Sequence, residues 1–74
     1  MFKVGDLIVR KQKYAFSCVV KIKEIREHSK NVFIDYEDAK GKGWGDLLKY
    51  FRHATPEEIK LGHRVEQVNN NETN

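Results

Sequence analysis

Three histidines (His28, His53, His63), one cysteine (Cys18) and an acidic group (Asp35, Glu37, Asp38) are the side chains suited to metal binding or catalysis. The histidines lie 25 and 10 residues apart, so no two have the i, i+4 spacing that puts two ligands on one helix face. Cys18 alternates with Val20 and Ile22, the pattern of a small buried hydrophobe, and without a nearby base it is a poor nucleophile. The three carboxylates stand beside glycines and lysines, the composition of a solvated turn. Gly41-Lys42-Gly43-Trp44-Gly45 lacks the preceding buried strand, the GK[ST] ending and the long following helix of a phosphate-binding loop. No reaction is declared here. The chain reads as a non-enzyme, with no cofactor, metal or small-molecule substrate expected.

Two constellations suit binding instead. Residues 1–30 hold eight basic residues and three acids, a net +5, whereas residues 31–74 hold six basic residues and eight acids, a net −2. If the first two strands pair, Arg10, Lys11, Lys21 and Lys23 can form a basic stripe, with Lys13, Tyr14 and Phe16 beside it. Phosphates and base faces of a nucleic acid would both be served by such a surface. A solvated, lysine-rich face that discourages edge-to-edge aggregation is the plainer reading. The whole-chain charge of +3 is small for a dedicated nucleic-acid binder. The other constellation is aromatic: Tyr36, Trp44, Tyr50 and Phe51, with Asp35, Glu37 and Asp38 at the rim. Aromatics edged by carboxylates can hold a cation such as a Lys or Arg side chain. Tyr36 and Phe51 are expected mainly in the core, and Trp44, flanked by two glycines, is expected to be partly exposed. Trp44, Tyr36, Phe33 and Tyr50 are therefore the candidate protein contacts, and a protein partner is favoured over a nucleic acid.

The elements that must position these residues are short. Leu7 to Lys11 reads as a first strand behind a Gly5-Asp6 turn. Gln12 to Ala15 reads as a loop. Phe16 to Arg26 is the longest strand candidate, with Cys18, Val20 and Ile22 on one face. Ile25 has the opposite parity, which requires a bulge or bend near Lys23-Glu24. His28 to Asn31 is a hairpin turn, and Val32 to Tyr36 is a strand with Val32, Ile34 and Tyr36 on one face. Glu37 to Gly43 reads as a mobile loop. Trp44 begins a short strand or turn, Leu47-Leu48 sits in a helical turn, and Tyr50-Phe51-Arg52 is a last strand. Thr55-Pro56-Glu57-Glu58 has the N-cap, first-position proline and third-position glutamate of a capping box. A helix over Pro56 to Leu61, ended by Gly62, follows. His63 to Val68 would add an edge strand or pack loosely.

A chain of 74 residues allows one domain, assigned to residues 1–68, with residues 69–74 as a disordered tail. The expected fold is mostly β: a small SH3-like β-barrel of four to five strands with one short C-terminal helix. An oligonucleotide-binding barrel ranks second because it usually needs longer loops. No apolar run exceeds three residues, as in Leu7-Ile8-Val9, so neither a membrane span nor a secretory core is expected. A single cysteine cannot form an internal disulfide, which suits a reducing cytoplasm.

The run from Tyr50 to Ile59 (Tyr50-Phe51-Arg52-His53-Ala54-Thr55-Pro56-Glu57-Glu58-Ile59) resembles small accessory proteins of tailed bacteriophages and prophages. Many of these end in a run similar to Y/F-R-x-A-T-P-E-E-I, preceded by a segment like Gly43 to Leu47. Val4-Gly5-Asp6 also looks like the start of the first strand in SH3-like modules. About ten residues carry the resemblance with any specificity. It implies cytoplasmic expression in an infected bacterium and an accessory role, docking on a host or phage protein. It supplies no catalytic residues.

Overall fold

In the computed structural model, which describes residues 1–11 and 16–65, five strands form one antiparallel sheet. They are β1 (Leu7–Arg10), β2 (Val20–His28), β3 (Asn31–Glu37), β4 (Gly43–Leu47) and β5 (Phe51–His53). A 3-10 turn, Leu48–Tyr50, separates β4 from β5, and the helix α1 spans Pro56–Leu61. The spatial order is β4-β3-β2-β1-β5. The chain is mostly β with one short helix, as its alternation implies. Pairing between β4 and β5, which would close the sheet into a barrel, is not made among the described residues.

Parity explains the long central strand. Ile22 pairs with Tyr36 and Glu24 with Asp35, so the register shifts between them and Lys23 is the inserted residue. The bulge lets Ile22 be buried before it and Ile25 turn inward after it, which a regular strand cannot do. The β2–β3 hairpin closes through Ser29 and Lys30, between the paired His28 and Asn31, with Ser29 at φ 58°. The core comprises Ile8, Val20, Ile22, Ile34, Tyr36 and Phe51. Phe2, Cys18, Ile25, Leu48 and Tyr50 pack around it. Val9 is equally buried on the opposite side of β1.

The first, third and last strands differ from their expected bounds by one residue at one or both ends, and the expected second strand and the loop after β3 also need correction. The strand expected over Phe16 to Arg26 begins only at Val20 and continues to His28. Residues Phe16 to Val19 run instead against the chain that follows α1. Cys18 bridges His63, and the Val19 amide donates to the Gly62 carbonyl at 3.0 Å. Buried Arg64 holds this arrangement, its Nη1 donating to the carbonyls of Phe16 (3.0 Å) and Arg10 (3.1 Å). The loop expected over Glu37 to Gly43 is narrower, because β3 includes Glu37 and β4 starts at Gly43. The expected end of the domain at Val68 and the tail 69–74 lie outside the described residues.

The helix has the expected bounds. The Thr55 hydroxyl accepts from the Glu58 amide, and the Glu58 carboxylate accepts from the Thr55 amide. Gly62 ends it at φ 85° with its amide on the Glu58 carbonyl. A Cβ there meets nothing within 4 Å, so only backbone strain opposes one. Gly62→Ala should therefore destabilise the fold by about 1 kcal/mol, read as a lower urea midpoint with an unchanged slope.

Candidate functional site

A groove of about 300 Å³ lies where the Phe16–Val19 segment meets the strands, lined by Phe16, Cys18, Val20, Tyr36, Asp38 and Trp44. Trp44 is the register partner of Tyr36, so both rings stand on the core side of the sheet. Tyr36 is covered by neighbours and only 5% exposed. Trp44 sits on β4, with no strand paired beyond it among the described residues, and remains 48% exposed. Phe16 closes the groove from above, its ring 5.9 Å from Tyr36 and 6.2 Å from Phe51. Tyr36 and Phe51 are 5.2 Å apart, so a packed aromatic cluster forms the floor. Burial, followed by the charge of Asp46, pushes the Tyr36 phenol upward, and its hydroxyl stays neutral at physiological pH.

Asp38 supplies the polar edge. Its Oδ1 accepts the amides of Lys40 (2.9 Å) and Lys42 (3.0 Å), and its own amide donates to the Lys42 carbonyl. The Lys42 amide first, then the Lys40 amide and the Trp44 side chain, hold its carboxyl below the usual range despite partial desolvation. An ionised carboxylate is thereby built into the rim. The Trp44 ring already carries a cation, with the Lys42 ammonium 4.9 Å from its centroid. On the neighbouring edge the Gly45 position is tight. A Cβ there would come within 3.2 Å of the Asp35 carboxylate, so glycine lets Asp35 reach Arg26 at 2.9 Å.

Of the four expected protein contacts, Tyr36 and Trp44 come together here. Phe33 lies on the opposite face of β3 by strand alternation, half-buried beside Arg26 and His28. Tyr50 lies under the Arg10 guanidinium, 4.9 Å from its ring centroid. Sequence reasoning set Asp38 at the rim of the aromatic residues, where it stands, but missed Cys18 as a member of the groove and set Phe16 beside a basic stripe. No local signal could have found them, because the Arg64 hydrogen bonds that position Phe16 span 48 residues.

Among the described residues the basic stripe does not assemble. β1 and β2 do pair, with Leu7 opposite Lys21 and Ile8 opposite Val20. Arg10 shares the face of Ile8, whereas Lys21 lies on the other. Arg10 is pinned to Asp46 with its guanidinium over the rings of Tyr50, Phe51 and Phe16. Burial pulls the Asp46 carboxyl upward, but the Arg10 contact and the Leu47 amide together outweigh it and lower the carboxyl. Lys23 pairs with Glu37 at 3.3 Å. Lys11 is exposed beyond the end of β1, and Lys13 and Tyr14 lie outside the described residues.

The histidines are dispersed. His53 Nε2 meets Asp6 at 3.0 Å with Phe2 stacked on its ring at 4.1 Å, His63 bonds the Arg64 carbonyl, and His28 is exposed at the hairpin. Among the described residues no three His, Cys, Asp or Glu side chains gather as a metal site. No helix among them is long and apolar enough to cross a membrane. Comparison of the chain with protein-family models, curated proteins and solved structures finds no match.

Proposed function

We propose that this chain is a non-catalytic binding module that docks on a partner protein by taking a basic side chain of that partner into the groove around Trp44. The observation that carries this reading is a half-exposed indole beside an ionised carboxylate, over an aromatic floor. An Arg or Lys side chain can lay its aliphatic stem on Phe16 and Tyr36 while its charge meets Asp38 and the indole face. Lys42 occupies that indole face in the free protein and would be displaced. The resemblance of the Tyr50–Ile59 run to phage accessory proteins supports docking on a host or phage protein in the bacterial cytoplasm, with modulation of that protein as the outcome. A nucleic-acid role through Arg10, Lys11, Lys13, Tyr14, Lys21 and Lys23 is less favoured, because Arg10 and Lys23 are already paired with acids.

Trp44 is the single tryptophan and reports directly on the groove. Titration with a short arginine-containing peptide should shift its emission saturably. Asp38→Asn, which can keep the turn hydrogen bonds, should weaken that binding by about tenfold. Pull-down from bacterial lysate should retain the partner after nuclease treatment and lose it with Trp44→Ala. Nuclease-sensitive capture that is indifferent to Trp44→Ala would reject this function.

A further inference from the structure

A second groove, of about 330 Å³, shares no residue with the first. Val32 from β3 and Leu48 from the 3-10 turn line it, with Leu47 of β4 at its edge. Lys11, just past β1, Lys30, in the β2–β3 turn, and Lys49, in the 3-10 turn, stand around it, all exposed. The five ion pairs among the described residues involve Arg10, Lys23, Arg26, Arg52 and His53, and none of these three lysines. Three ammonium groups around one aliphatic depression repel one another and lack an acidic complement, so the charge that fits there is negative.

The form of that ligand follows from the floor. Base stacking needs an open aromatic plane, and this groove offers little of one. Phe2 has one face covered by His53, and Phe51 is only 1% exposed. Aliphatic side chains at the bottom accept an aliphatic anchor. A lone carboxylate or phosphate would use one cluster of donors, whereas lysines on three separate segments match several carboxylates along a chain. We infer that the groove ringed by Lys11, Lys30 and Lys49 binds an acidic segment of a partner protein, with a leucine-type side chain against Val32 and Leu48 and carboxylates on the lysines. This surface is independent of the groove around Trp44, and either can fail without the other.

The test is an amide chemical-shift titration of the whole chain with a short peptide in which two leucines are flanked on both sides by Asp and Glu. Saturable shifts should centre on Lys30, Val32, Leu47, Leu48 and Lys49, and added salt should weaken them. Lys30→Glu with Lys49→Glu should raise the dissociation constant about tenfold or more, and Trp44→Ala should leave it unchanged. These two lysines are exposed and in no ion pair among the described residues, Lys49 standing only over the Tyr50 ring at 5.5 Å, so the double variant should keep the wild-type dispersion. A single Lys49→Gln variant gives the same readout at a smaller charge change. Equal binding of a peptide with its leucines replaced by serine would overturn the proposal. So would tighter binding of oligothymidylate at these amides, or the same shifts on concentrating the protein alone, which would assign the groove to a nucleic acid or to a second copy.

Discussion

Glu58→Ala should lower the melting temperature by about 12 °C or more, a loss of about 3 kcal/mol for a domain this size. Glu58 is 1% exposed, and both carboxylate oxygens are engaged. Oε1 accepts from Arg52 Nη1 (2.8 Å) and the Thr55 amide (2.9 Å), while Oε2 accepts from Arg52 Nη2 (2.7 Å) and the Val65 amide (2.8 Å). Removing the carboxylate takes away the acceptor that these part-buried donors share, which costs more than the hydrogen bonds themselves contribute. The figure is the low end for a broken buried pair, because the Arg52 side chain is 36% exposed and water can partly replace its partner. Thr55→Ala, which removes only the cap hydroxyl, should cost about 1 kcal/mol. The gap between the two variants in a thermal melt measures the Arg52 and Val65 links. Equal losses would mean that the capping box alone is at work.

The same group gives the fold a defined acid limit. The Arg52 guanidinium, with the Thr55 and Val65 amides, outweighs burial and lowers the Glu58 carboxyl from 4.5 to about 2. A depressed folded-state value means that the unfolded chain takes up the proton first. The stabilisation is therefore fully present above about pH 5 and is lost as pH falls towards 2. Urea midpoints of the wild type should fall over that window, and those of Glu58→Gln should be lower but flatter. The groove should respond as well. Glu58 holds the Val65 amide, and the preceding residue, Arg64, holds the Phe16 carbonyl. Loss of Glu58 should thus loosen Phe16 over Trp44 and weaken binding there before the whole domain unfolds.

Phe51→Ala should be at least as damaging, at about 3–5 kcal/mol. Phe51 is 1% exposed, and its ring meets Tyr36 at 5.2 Å and Phe16 at 6.2 Å, with the Arg10 guanidinium 5.4 Å from its centroid. Truncation leaves a cavity between β3 and β5 and strips one ring from beneath Arg10. Small domains sit near the low end of the usual 5–15 kcal/mol, so a large fraction of Phe51→Ala molecules should be unfolded at 37 °C. Phe51→Leu keeps most of the volume and should cost only about 1–1.5 kcal/mol. Far-ultraviolet circular dichroism during urea titration distinguishes them. Two variants with the same midpoint would remove Phe51 from the core.

What could be read from the sequence were features whose causes lie within a few residues. Thr55, Pro56, Glu58 and Gly62 act within one or two turns of chain, so the helix and its cap followed from spacing alone. The inverted parity of Ile25 against Ile22 demanded a bulge, because a strand with one buried face cannot change phase otherwise. The flanking glycines and lone position of Trp44 indicated its exposure. The chemistry at each remaining site was decided at long range. Arg10 looked like a free surface cation until β4 brought Asp46 to it across 36 residues. Lys11, Lys30 and Lys49 belong to three unrelated stretches and share a groove only because the sheet order β4-β3-β2-β1-β5 gathers their ends. Local spacing determines which elements form, since backbone torsion and parity act over neighbouring residues. Which charges are quenched and which stand open is settled by strand pairing, since Coulomb interactions depend on distance in space and not along the chain.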